Sequence, residues 1–147
     1  METRMQAAAR QGITPSAVGD GEVQAVSLAD EEAIQAAGLD YLQGWYTVDA
    51  ARMERALHPE LAKRIFRHNA DGTKTLGQMS AMTLVQRTRS GIGKNSVQRA
   101  DIKILDVFRD TASVRADANG WVDYLHVAKV DGEWKIINVL WEMREDS

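Results

Sequence analysis

The chain has 147 residues, 18 of them basic and 21 acidic for a net charge of −3, and it contains no cysteine. At that length roughly two thirds of the unfolded surface can be buried, so one core suffices without metal or disulfide. The acidic balance, with no Lys/Arg run longer than two, excludes a nucleic-acid or anionic-membrane footprint; the missing cysteines exclude disulfides, thiolate catalysis and Cys-ligated zinc.

Residues 1–26 are rich in Ala, Gln and Gly without sustained periodicity and read as a flexible N-terminal arm, with the domain following at 27–147. The arm has no apolar run of seven or more, so it is neither a signal peptide nor a membrane span. We expect a cytoplasmic protein, with the periplasm open should a leader have been removed. Ser27 and Asp30 resemble a capping box, and Ile34, Ala37, Gly38, Tyr41, Leu42 and Trp45 recur at three-and-four spacing, which predicts an amphipathic helix of about five turns. Asp49 caps a second helix, Ala50–Leu57. Pro59 restricts His58 to extended geometry and suits the first position of a third helical piece, Pro59–Phe66. Asn69-Ala70-Asp71-Gly72 is turn chemistry; Ser80 then caps a helix with Met82, Leu84, Val85 and Thr88 inside and Gly91 beyond its end.

From Ile102 the period changes to two, which predicts strands. Asn119-Gly120 and Asp131-Gly132 are hairpin dipeptides suited to type I′ turns, giving strands at Thr111–Ala118, Trp121–Val130 and Glu133–Met143. Helices first and sheet second argue an α+β domain.

A two-residue loop at Asp131-Gly132 pairs Val130 with Glu133, His126 with Ile137, Tyr124 with Val139 and Val122 with Trp141. The same logic at Asn119-Gly120 sets Ser113 beside His126 and Arg115 beside Tyr124. The opposite face carries Trp121, Asp123, Leu125, Val127, Trp134, Ile136, Asn138 and Leu140, because side chains alternate along a strand. Patterning alone points this more apolar face at the helices.

DEEAIQAAGLDYLQGWYTVDAARMERALHPEL at 30–61 and GWVDYLHVAKVDGEWKIINVLWEM at 120–143 resemble the putative lumazine-binding branch of the nuclear transport factor 2-like superfamily, close also to its SnoaL-like members. The resemblance implies three N-terminal helices packed on a curved antiparallel sheet that forms a cone with an internal pocket, a cystatin-like fold. It also implies the reverse orientation of the sheet, because the family's pocket acid matches His126 and its pocket tyrosine matches Tyr41. The face bearing Trp121, Leu125, Val127, Trp134, Ile136 and Leu140 is then outside, and such an apolar patch would be covered by a second subunit, making a homodimer. Asp123 and Asn138 need partners within that patch.

The leading functional expectation is a small-molecule-binding domain for a planar or apolar ligand, without catalysis, in a pocket lined by Tyr41, Trp45, Ser113, Arg115, Tyr124, His126 and Trp141. The alternative is a SnoaL- or ketosteroid-isomerase-like enzyme with His126 as acid/base and Tyr41 stabilising an oxyanion. A third is an assembly module with a vestigial pocket. No cofactor or metal is expected, since His58, His68 and His126 lack metal-ligand spacing.

Overall fold

The computed structural model describes residues 26–145, so all but the last residue of the arm at 1–26 lies outside the described residues. Three helices and six strands follow in the order α1 (Leu28–Thr47), α2 (Ala50–Ala56), β1 (Leu57–His68), β2 (Lys74–Ser80), α3 (Ala81–Ser90), β3 (Ala100–Phe108), β4 (Thr111–Ala118), β5 (Trp121–Val130) and β6 (Glu133–Met143). The fold is α+β, with one sheet ordered β2-β1-β6-β5-β4-β3.

The helix starts are fixed by the expected caps. Ser27 accepts from the Asp30 amide at 3.0 Å, Asp49 from that of Arg52 at 3.0 Å and Ser80 from that of Thr83 at 3.2 Å. Each satisfies one of the amides that a helix N-terminus leaves without a partner. Asp30 also accepts from the Trp134 indole at 2.9 Å and from Lys129 at 3.1 Å, which ties α1 to the last hairpin. Asp40 binds Arg52 and Arg55 at 2.7 and 2.9 Å and clamps α1 to α2. In α3, Leu84 and Thr88 are buried as expected, but Met82 is exposed.

The segment Pro59–Phe66 is a strand, not a third helix. Ala62–His68 pairs antiparallel with Lys74–Ser80 through the Asn69–Gly72 turn, and Ala62–Arg64 pairs parallel with Asn138–Leu140. The sheet is therefore mixed rather than antiparallel throughout. Local propensity loses here to two ladders of backbone hydrogen bonds, and Pro59 falls in the gap between Leu57 and Ala62 where pairing with β6 is interrupted. Of the three helices only α1 and α2 are N-terminal, because α3 follows the first hairpin.

The β4–β5 register has Ser113 opposite His126 and Arg115 opposite Tyr124, as the Asn119-Gly120 loop predicts. Asp131 and Gly132 both take positive φ, 52° and 82°, as a type I′ turn requires; at the other hairpin only Gly120 does, so that turn is not type I′. The β5–β6 pairing starts as expected with Val130 opposite Glu133, then shifts by one residue between Val127 and His126. Beyond this bulge Asp123, not Val122, lies opposite Trp141.

Patterning pointed the correct face at the helices on β4 and β5 and on β6 as far as Ile136, but past the bulge Asn138 and Leu140 turn outward and Val139 and Trp141 inward; the orientation implied by resemblance is overturned. Trp134, Leu125, Val127 and Ile136 are 6% exposed or less and join Ile34, Tyr41, Leu42 and Met53 in the core beneath the helices. Trp121 packs against the same core, whereas Leu140 is 54% exposed on the far face. The surface assigned to a second subunit is thus mostly the monomer's own interior, covered by its helices. Burying each of those large side chains contributes about 1.5–3 kcal/mol, more than a partly wet contact would return.

Candidate functional site

The inner face carries two charged side chains where the pattern is otherwise apolar. On β5, Asp123 alternates with Trp121, Leu125 and Val127 and is 0% exposed. On β1, Lys63 alternates with Leu61 and Ile65, both buried, so its stem also runs inward. The parallel pairing of β1 with β6 sets Lys63 opposite Val139, one strand from Asp123. Tyr41 descends from α1 onto the pair.

Lys63 Nζ donates to the Tyr41 hydroxyl at 2.6 Å and lies 5.0 and 5.1 Å from the ring centroids of Tyr41 and Trp141. Trp121 Nε1 donates to Asp123 Oδ2 at 2.8 Å, while Asp123 Oδ1 is buried with no hydrogen-bond partner. The Trp121 and Trp141 rings meet edge to face at 6.4 Å, and Tyr46 packs on Trp121 at 6.1 Å. The Tyr46 hydroxyl is fully used, donating to the Arg99 carbonyl at 2.7 Å and accepting from the Asn119 amide at 2.9 Å.

Burial disfavours every charge in this cluster. Loss of hydration raises the Asp123 carboxyl above its ordinary value, against the pull of the Lys63 charge, the Trp121 hydrogen bond and the nearby Tyr41 hydroxyl. The same desolvation lowers the Lys63 ammonium, opposed by the Asp123 charge. Burial first, and Asp123 second, push the Tyr41 hydroxyl well above the usual tyrosine range. Burial thus draws the titrations of the carboxyl and the amine toward each other.

Of the residues expected at the site, Tyr41 and Trp141 are brought together, Trp141 only because the bulge turns it inward. Trp45 is seated against Gly93, at a separation that leaves no room for a Cβ there. Ser113, Arg115, Tyr124 and His126 lie on the opposite face of the sheet. His126 is exposed and lines an open cavity of about 350 Å³ with Asp106, Phe108, Ser113 and Asn138. His126 and Tyr41 are not brought together: His126 stands on the far face of the sheet, whereas Tyr41 packs from α1 onto the inner face. Lys63 and Asp123 were missed. Lys63 sat in a segment read as helix, and Asp123 on a face read as outer; a lone acid on the most apolar face was the available signal.

On the outer face Arg115 and Arg144 hold Asp117 at 2.9 and 2.6 Å, beside a second cavity of about 370 Å³ lined by Phe66, Arg115, Tyr124 and Leu140. The Arg115 hydrogen bond, outweighing partial burial and joined by Arg144, lowers Asp117 from 3.8 to about 2. A depressed carboxylate contributes stability that is present above 3.8 and is lost as pH falls through about 2. Asp117→Asn is expected to cost about 0.5–1 kcal/mol at pH 7, trimmed by solvent around the arginines, and to flatten the acid limb in that window. Urea unfolding from pH 6 to pH 2 checks it. Among the described residues no three His, Asp or Glu side chains form a group that could hold a metal, and no helix is long and apolar enough to cross a membrane.

Helices laid over one face of a six-stranded sheet give a cystatin-like fold, similar to that of solved nuclear transport factor 2-like proteins. The chain belongs to the family described as Putative lumazine-binding, which matches residues 29–142. A nuclear transport factor 2-like protein of unknown function from Shewanella baltica OS155 superposes with a TM-score of 0.62 at 17% identity, over 84% of this chain and 100% of that one. One from Methylobacillus flagellatus KT gives 0.58 at 20% identity, over 85% and 100%. A cystatin-like domain of unknown function from Nostoc punctiforme PCC 73102 gives 0.53 at 15%, over 82% and 80%. No curated protein matches the chain.

Proposed function

We propose that this chain is a small-molecule-binding domain for a planar heterocycle, held in an inner pocket with Tyr41 and Asp123 at its floor and Lys63, Trp121 and Trp141 at its rim. The observation that carries the reading is the buried Asp123 Oδ1 with no partner, since a buried acceptor left unpaired costs about 1–3 kcal/mol unless something donates to it. Exposure grades in the right sense: Tyr41 and Asp123 are buried, whereas Lys63, Trp121 and Trp141 are each part-exposed. An ammonium has three donors, and Lys63 spends one on Tyr41. A free donor beside a free acceptor matches the edge of a cyclic amide, whose carbonyl accepts from Lys63 while its N–H donates to Asp123. The two indoles, in contact edge to face, supply an aromatic surface beside that edge. Lumazine, the ligand in the family's description, has such an edge.

Titration with lumazine is expected to quench tryptophan fluorescence and raise the unfolding temperature, a ligand at 100 times its Kd adding about 2.7 kcal/mol. Asp123→Asn, which places an amide donor or a weaker acceptor at Oδ1, is expected to weaken binding about tenfold or more. Neither quenching nor a thermal shift with lumazine and related cyclic imides would sink the reading.

A homodimer is the second reading, moved to the other face. Phe66, Tyr124, Leu140 and Met143 stand there 42–54% exposed around the larger cavity, an apolar patch of the kind that pairs with itself. Sedimentation at micromolar concentration decides it, with Leu140→Glu expected to give monomers.

A further inference from the structure

Lys63 is the one lysine that the fold turns into an aromatic enclosure. Lys74, Lys94 and Lys103 are exposed, and Lys129 and Lys135 are engaged by Asp30 and Glu133 at 3.1 Å each. Lys63 Nζ instead sits between the Tyr41 and Trp141 rings, 2.6 Å from a hydroxyl and one strand from a buried carboxyl. An amine in such surroundings loses the hydration that favours its charged form, and the neutral amine is a nucleophile toward carbonyl carbon.

We propose that Lys63 forms an imine with a planar aromatic or conjugated aldehyde or ketone bound against Trp141 at the mouth of the cluster, with Asp123 and Tyr41 moving the protons. The proposal rests on the ligand site described above and adds a covalent step to it. The Nζ lone pair adds to the carbonyl carbon, and the displaced π pair becomes an alkoxide that takes a proton from the Asp123 carboxyl or the Tyr41 hydroxyl. The adduct nitrogen gives up a proton to the resulting base. That proton then moves to the carbinolamine hydroxyl, which leaves as water while the nitrogen lone pair closes the C=N bond and the remaining N–H proton returns to solvent or to Asp123. One carbonyl and one amine become one imine and one water, and nothing is oxidised or reduced. Burial raises the Asp123 carboxyl and lowers the Lys63 ammonium, so each is drawn toward the form that the first step uses.

The test is reductive trapping of the full chain with benzaldehyde and sodium cyanoborohydride, followed by peptide mapping. A single benzyl group on Lys63, placed about tenfold or more faster than on any of the other five lysines, supports the proposal. Lys63→Arg keeps the charge, cannot form the imine, and is expected to lose that fast labelling. Asp123→Asn is expected to slow trapping while leaving surface labelling unchanged. Equal labelling of all lysines overturns the proposal, and because it is read on the wild-type chain it does not depend on any variant folding. A lumazine-induced thermal shift without preferential Lys63 labelling overturns the imine and leaves the binding site standing. Preferential Lys63 labelling without any lumazine response keeps the imine and overturns the cyclic-amide ligand.

Discussion

Lys63→Met is expected to lower stability by about 3 kcal/mol at neutral pH, because it leaves the Asp123 carboxylate buried with no cation beside it. The packing lost is small, since Met matches the stem in volume, so the cost is electrostatic. Its sign with pH follows from the direction of the Asp123 shift. A carboxyl raised in the folded state contributes stability that is fully present below its ordinary 3.8 and is lost as pH rises through its folded value. Without Lys63 that value rises further, so the deficit is largest at neutral pH and shrinks on acidification. Chemical denaturation at pH 7 and pH 4 measures both. Adding Asp123→Leu removes the stranded charge, and the double variant is expected to regain most of the loss. A Lys63→Met deficit that is the same at both pH values would show that the ammonium does not neutralise Asp123.

The second large effect concerns the sheet faces. Leu125 is 1% exposed in the core, so Leu125→Ala is expected to cost about 2–5 kcal/mol. Leu125→Glu forces an uncompensated carboxylate into the same space. That penalty is comparable with the whole stability of a domain, about 5–15 kcal/mol, and the variant is expected not to fold. Leu140→Glu, on the opposite face, is expected to change the stability of the monomer by no more than about 0.5 kcal/mol. Circular dichroism with urea unfolding separates the two. A folded, monomeric Leu125→Glu would mean that the helices cover the other face.

Much of this architecture can be read from local chemistry. Ser27, Asp49 and Ser80 mark the helix starts because a capping oxygen acts within three residues of its own backbone. Asp131-Gly132 specifies its turn because positive φ is a property of those two residues. The β4–β5 register follows from loop length alone. The period-two apolar face of β4, β5 and the first half of β6 identified the core side correctly; it failed beyond the bulge, for Asn138 and Leu140, and a second error entered when a pocket position was carried over from distant relatives onto His126. Single-residue correspondence does not survive a one-residue register change, which exchanges the faces of a strand.

The sequence by itself determined the α+β class, the last three strands, the helix starts at their caps and the membership of the putative lumazine-binding family, because each rests on short-range chemistry or on a pattern spanning many residues. Only the tertiary structure decided that Leu57–His68 is a strand, since the partners that make it one, Lys74–Ser80 and β6, lie up to 79 residues further along the chain, as Ile136 does from Leu57. Only it placed the bulge beside His126 that turns Trp141 inward. And only it joined Tyr41, Lys63 and Asp123, one from a helix and two from strands that never pair directly, into a buried cluster whose chemistry none of the three segments carries alone.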